Sequence, residues 1–375
     1  MMRGPHLRKI PAAKADGGRG IYRGGYPAAM LILAAVLVFL CAGSITIGVA
    51  KIRVGDVFRI IGSHLPFIGK YIDMSDISGP AAVIVWKMRL PRALLAVFSG
   101  AGLSLCGGVY QGLFRNPMAD PYILGISSGA SFAAALAIAF GGGAASGLAG
   151  YFTGVGMCAF AGAILTTLLV YAVSRTGGRL PTATLLLTGV AFHFLLSAGM
   201  TLVMVLKRSA ADNIVLWTMG SLSNASWKSV LPAAAVIVLC GGCILCFARN
   251  LNIMATGEET AESLGVHVER SKLLLLSFSA LIVAVCVANC GVIGFVGLII
   301  PHIVRLMVRP DHRVLLPFSA VIGGMFMLIC DTLARNLLPW LTASAAEMPV
   351  GVITSCFGAP FFIWLLLRSK KRMPQ

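Results

Sequence analysis

Side chains able to do chemistry are scarce in this 375-residue chain, which carries 6 His and 13 Asp+Glu. His193 is the ionisable residue at the centre of a long apolar run. An ionisable group at membrane depth is a functional candidate by default; the ordinary alternative is a ring nitrogen bonded to neighbouring backbone. Cys240, Cys243 and Cys246 recur every third residue, as in a metal cluster, but no second Cys/His cluster flanks them. Cys inside a helix behaves as a small hydrophobe, so no metal site and no cofactor are expected. No nucleophile–base pair falls inside an apolar run, so no catalytic residue is expected either. A phosphate-binding loop is also missing: the one Gly-Lys pair, Gly69-Lys70, precedes Tyr71 instead of Ser or Thr. Asp331 stands four residues before Arg335, a spacing that lets the two pair on one helical face.

Two polar stretches carry structural information. In Arg115-Asn116-Pro117-Met118-Ala119-Asp120-Pro121, two prolines four apart interrupt any helix. Irregular backbone near membrane depth survives only where protein or a water-filled cavity surrounds it, so 115–121 is expected to be an ordered turn. In Thr256-Gly257-Glu258-Glu259, Thr256 as N-cap and Glu259 at the third helical position make a capping box. Glu258, Glu259 and Glu262 load the first turns with negative charge, which the helix dipole favours. Leu264-Gly265 supplies a glycine stop. The result is a short helix near 257–265, with Ala261 and Leu264 on one face. A helix of two turns is not stable alone in water. It must dock on its own bundle or on a partner, and its solvated acidic face favours a partner.

The elements that position these residues follow from composition. Hydrophobic residues make up 58% of the chain and charged residues 11%, against about 25% charged in soluble domains. A soluble enzyme, a disordered protein and a collagen-like fibre are excluded. Apolar runs free of Asp, Glu, Lys and Arg occupy 27–50, 93–114, 121–174, 180–206, 229–248, 273–301, 314–330 and 348–367. A crossing takes about 20 residues, so 121–174 holds two spans, broken at Gly141–Gly147. The stretch 273–308 turns near Asn289-Cys290-Gly291 and ends in a short, Gly-rich span. Pro27–Ala50 is too long for a signal-peptide core of about 7–15 residues. The fold class expected is an all-α polytopic membrane protein of ten helices. Its 43 Gly suit close approach of helices in lipid.

The net charge of +17 would suit a nucleic-acid partner, but the basic residues lie in short clusters between apolar runs. Nineteen of the 30 Lys/Arg fall on the N-terminal side of this ten-span arrangement. That bias places both termini in the cytoplasm. The domain organisation is then a basic cytoplasmic tail at 1–26, one transmembrane domain at 27–368 and a second basic tail at 369–375.

Several motifs occur in a fixed order. Arg89-Leu90-Pro91-Arg92 comes first. Gln111-Gly112-Leu113-Phe114-Arg115-Asn116-Pro117-Met118-Ala119-Asp120-Pro121 and Leu124-Gly125-Ile126-Ser127-Ser128-Gly129-Ala130 follow. Then come Gly257-Glu258 through Leu264-Gly265, Gly294-Phe295-Val296-Gly297-Leu298-Ile299-Ile300-Pro301-His302, and Pro349-Val350-Gly351-Val352-Ile353-Thr354. Together they closely resemble the FecCD family, permease subunits of type II ABC importers for iron(III)-siderophores, haem and cobalamin. The likeness runs from about 80 to 368. Met118 and Met348 stand where Leu is usual, and the tail 1–26 is an addition.

The resemblance implies a homodimer in the inner (plasma) membrane, serving two cytoplasmic ATPase subunits and one extracytoplasmic substrate-binding protein. No nucleic acid is implied, and lipid surrounds the bundle. Gly257, Glu258, Glu259, Ala261, Leu264 and Gly265 match the helix that docks in the ATPase. Arg89, Arg92 and Arg335 match arginines that receive acidic residues of the binding protein, interfacial snorkelling being the plain alternative. Asn116, Pro117, Met118, Pro181 and Thr182 are similar to an inner gate. His193 lies on a pathway-lining span, where it could meet haem iron or an anionic chelate. His302 is structural. The alternative from another class is an ion-coupled secondary transporter, which would want carboxylates at mid-membrane; Asp331 is the deepest found. An intramembrane enzyme would want a catalytic set that is not found.

Overall fold

The computed structural model describes residues 25–370 except 49, 51, 66–68, 142–153, 178, 309 and 343–345. The Gly-rich break at 141–147 falls largely outside them, as do most of the tail 1–26 and the tail residues 371–375.

The described residues fold as helices. Spanning elements are α1 (Tyr26–Thr46) and, after a short outer helix α2 (Val54–Ser63), the long α3 (Gly79–Leu113). Then come α4 (Ile126–Ala139), α5 (Gly154–Ser174) and α6 (Thr182–Leu206). The small α7 (Ala211–Thr218) precedes α8 (Trp227–Cys246), and α9 (Ala248–Met254) and α10 (Glu258–Ser263) form a polar connection. The chain closes with α11 (Val268–Cys290), α12 (Val296–Met307), α13 (His312–Leu341) and α14 (Val350–Lys370). Seven of these helices are long and apolar enough to cross a membrane, and three shorter apolar ones, within α4, α12 and α14, complete ten.

Two irregularities have clear causes. Pro91 lacks an N–H and crowds the carbonyl four residues before it. The turn Ile84–Arg89 widens to a π-helix, with Leu90 N–H reaching Val85 O, so α3 continues through the proline. The connection 291–295 is half-buried and non-helical, with Gly291 at φ 68° and Phe295 at φ 70°. Its groups find partners: Tyr122 Oη donates to Ile293 O at 3.1 Å, and Ser221 N–H donates to Cys290 O at 2.8 Å. Helix α12 has 12 residues, a rise of about 18 Å against a hydrocarbon core of about 30 Å. The non-helical residues before it add to the length, and their polar groups are tolerated where they find protein partners.

Helix α3 is the hub. A Cβ on Gly107 would fall 1.8 Å from the Gly297 carbonyl oxygen of α12, and one on Gly100 2.3 Å from the Gly323 oxygen of α13. Backbones touch there, as small residues permit in lipid. Gly112, at one end of α3, lies against Leu251 and His312. Arg89 and Arg92, toward the other end, meet α1 and α13. The connections to α10 and α13 share the first end, where the Lys/Arg excess lies, and this is the inner end by charge bias.

The capping box is corrected. Thr256 does not open α10: its hydroxyl donates to Ile253 O at 2.7 Å and so closes α9. A helix over 248–254, not foreseen from the sequence, takes that hydroxyl for its own carbonyls. The N-cap of α10 is Gly257 at φ 141°, without a side-chain bond. The glycine stop is present as a Schellman motif: Gly265 N–H reaches Glu262 O at 2.9 Å and Val266 N–H reaches Ala261 O at 3.0 Å, with Gly265 at φ 82°.

Candidate functional site

At the inner end, α10 stands out as a small acidic ridge. Ala261 is fully buried, whereas Leu264 is 65% exposed. The two therefore do not share a free face, and Ala261 anchors the helix to its own bundle. The outward surface is made by Glu259, Glu262, Leu264 and Gly265. Glu258 turns inward, with Oε2 2.7 Å from Lys272 Nζ.

The stretch 115–121 is an ordered turn. Arg115 adopts φ 48°, Asn116 Oδ1 accepts from Met118 N–H at 2.9 Å, and Asp120 Oδ1 accepts from Tyr122 N–H at 2.8 Å. Such side-chain bonds replace a helix where proline forbids one. Asn116, Pro117 and Met118 are exposed at the inner end. Pro181 caps the start of α6 and Thr182 is its first residue. Helix α6 packs on the same connection through Gly189, where a Cβ would lie 2.5 Å from Ile123 O. Burial pushes the Asp120 carboxyl up to about 6, against the opposing pull of the Tyr122 N–H.

At the outer end the three arginines are turned inward. Arg89 donates to the carbonyls of Ile45 at 2.8 Å and Ala50 at 2.7 Å. Arg92 holds Asp331 at 2.9 Å and Glu347 at 2.8 Å, and Arg335 Nε lies 3.2 Å from Asp331 Oδ2. In this geometry the three arginines brace α1, α3, α13 and the segment before α14. The i,i+4 pairing of Asp331 with Arg335 is present. Asp331 is completely buried between two guanidiniums, so it is no free mid-membrane proton carrier.

His193 sits in the middle of α6 on an exposed surface, and its Nδ1 lies 2.5 Å from the Ser128 hydroxyl on α4. Its partner is a side chain, not backbone. The three cysteines of α8 range from half-buried to exposed, and no group of three or more His, Cys, Asp or Glu among the described residues could hold a metal ion. Sequence reasoning missed Lys272, Glu347 and Ser128 as structural partners. Glu269 and Lys272, three apart, gave a readable local signal; the others had none.

Residues 35–368 match the FecCD transport family. The chain belongs to the FecCD transport family. Among its relatives, a cobalamin import system permease protein of Halobacterium salinarum is 46% identical over 286 residues, 76% of this chain and 74% of that protein. A hemin transport system permease protein of Yersinia pestis is 43% identical over 293 residues, 77% of this chain and 84% of that one. A vitamin B12 import system permease protein of Salmonella paratyphi A is 38% identical over 345 residues, 91% and 94% of the two chains. A metal-chelate type ABC transporter solved in an inward-facing conformation superposes with a TM-score of 0.76 at 32% identity, over 92% of this chain and 100% of that one. This FecCD chain is thus a multi-pass membrane permease.

Proposed function

We propose that the chain is the membrane subunit of an ATP-driven importer for an iron(III) chelate, siderophore or haem, or for cobalamin. It works in the inner (plasma) membrane as a homodimer with two ATPase subunits and an extracytoplasmic binding protein. The observation that carries this is α10: a solvated acidic helix at the inner end of a FecCD chain that has no phosphate loop of its own. A motor on another chain can grip Glu259, Glu262 and Leu264, with Gly257, Ala261 and Gly265 setting the helix's pose. The second copy would lie on α6, whose exposed side presents Leu187, Val190, Phe194, Leu195 and Leu202. That face would bring His193 toward the pathway. Asn116, Pro117 and Met118, with Pro181 and Thr182, would form the inner gate; Met suits a seal that must yield.

Docking of the binding protein belongs at the outer rim. Its acidic side chains would compete with the half-exposed Glu347 for Arg92, while Arg89 and Arg335 keep the rim in place. An outer cavity of 620 Å³, lined by Asn213, Ser223, Asn224, Asn289 and Glu347 among others, suits a bulky ligand with polar edges.

The test is reconstitution in liposomes with the ATPase and the binding protein. Glu259→Lys with Leu264→Lys is expected to abolish ATPase association and uptake; unchanged coupling would defeat the reading. Uptake driven by a proton gradient, with no ATPase present, would favour the ion-coupled alternative. The paired carboxylates speak against that outcome.

A further inference from the structure

Lys272 is the buried lysine among the described residues, 4% exposed. Its ammonium group has three donors, and three acceptors surround it. Glu258 Oε2, on the first residue of α10, is 2.7 Å away, Glu269 Oε1 is 3.5 Å away, and the Leu180 carbonyl oxygen is 3.3 Å away. The Leu180 N–H in turn donates to Glu269 Oε2 at 2.8 Å. The peptide groups of Leu180 are thus held at both N–H and C=O by Glu269 and Lys272 at the start of α11. One residue later the chain enters Pro181 and α6. Helix α6 is mostly exposed within the chain, only 11% of its most apolar window being buried, while its start is held by Leu180 and Leu185, both buried, and by the bonds to Leu180. Helix α10 is short, with Ala261 as its buried anchor.

We propose that Lys272 is a positioning residue that relays displacement of α10 to Leu180, and so to the segment Pro181–Thr182 at the base of α6. The inference rests on the reading that a motor grips α10, and it adds the path by which that grip reaches the gate. A pull on α10 moves the Glu258 carboxylate. The ammonium follows because, among the described residues, Glu269 is the one other carboxylate that compensates it in a buried place. Leu180 follows because both its backbone groups are tied to the same turn. Without the charge, Glu258 and Glu269 are left as neighbouring anions and α10 loses its tie to α6.

The experiment measures substrate imported per ATP hydrolysed by the full complex in liposomes, alongside co-purification of the ATPase. Lys272→Met is expected to retain the ATPase and basal hydrolysis while import per ATP falls about tenfold. Lys272→Arg, which keeps the charge, should restore the ratio to within about twofold of wild type. Glu258→Gln, a change at a half-exposed site, should lower the ratio by about threefold. A Lys272→Met complex that assembles and keeps the wild-type ratio overturns the relay. Should Lys272→Met fail to assemble, an unchanged ratio in Glu258→Gln overturns it instead. A wild-type chain that imports without any ATPase defeats the importer reading and the relay together. Intact wild-type coupling with unchanged variants defeats the relay alone.

Discussion

The carboxylate of Asp331 is completely buried and receives both Arg92 and Arg335, while Glu347 takes the remaining face of Arg92. Removing one member of a buried ionic cluster leaves an uncompensated charge and costs about 3–5 kcal/mol. Asp331→Ala is therefore expected to lower the melting temperature of the purified protein in detergent sharply; a change within error would show the cluster to be dispensable. If Glu347 competes with the binding protein for Arg92, Glu347→Gln should tighten binding-protein affinity several-fold at low salt, read by titration, and less at high salt. Asp120 gives a pH signature. Its folded value of about 6 lies above the unfolded value of about 3.9, so the folded state binds the proton more tightly. Its contribution to stability is then present below about pH 4 and lost as pH rises toward about 6. Asp120→Asn keeps an acceptor for the Tyr122 N–H and removes the titration. Melting curves should slope downward over that window in wild type and lie flatter in the variant. Of these residues, only the Asp331–Arg335 spacing was legible in the sequence, because both sit on one helix. The Arg92–Glu347 bond joins positions 255 apart.

Short elements show where local rules hold and where neighbours override them. The glycine stop of α10 was readable because Gly265 at φ 82° needs no partner from elsewhere in the fold. Gly265→Ala forces a Cβ into the left-handed region at about 1–2 kcal/mol. The expected outcome is weaker ATPase co-purification with an unchanged melting point of the spans; a lowered melting point would show that the turn serves the bundle instead. The N-terminal signal misled because Thr256 had two possible uses, and α9 immediately before it claimed the hydroxyl. The π-turn ahead of Pro91 and the non-helical residues ahead of α12 are likewise answers to packing. Each keeps backbone groups bonded while a side chain or a neighbouring helix occupies the regular position.

Across the whole molecule, stability depends on helices whose backbones touch. Gly107→Val would place side-chain carbons against the Gly297 carbonyl, where even a Cβ falls 1.8 Å away, and is expected to abolish recovery of monodisperse protein. Gly242, with nothing within 4 Å of its Cβ position, is the control: Gly242→Ala should change stability by less than about 1 kcal/mol. The spans, the side on which the basic residues collect, the ordered turn at 115–121 and the family could all be read along the chain. Each of these depends on contiguous stretches: an apolar run long enough to cross lipid, a proline that cannot continue a helix, motifs in fixed order. Which polar groups meet could be seen only once the helices were packed. Lys272 reaches Leu180 across 92 residues, and Arg89, Arg92 and Arg335 turn inward. Pairings of that kind depend on how helices rotate and cross once close-packed. No local pattern encodes that rotation, because it is set by the glycines and side chains of all the neighbouring helices at once.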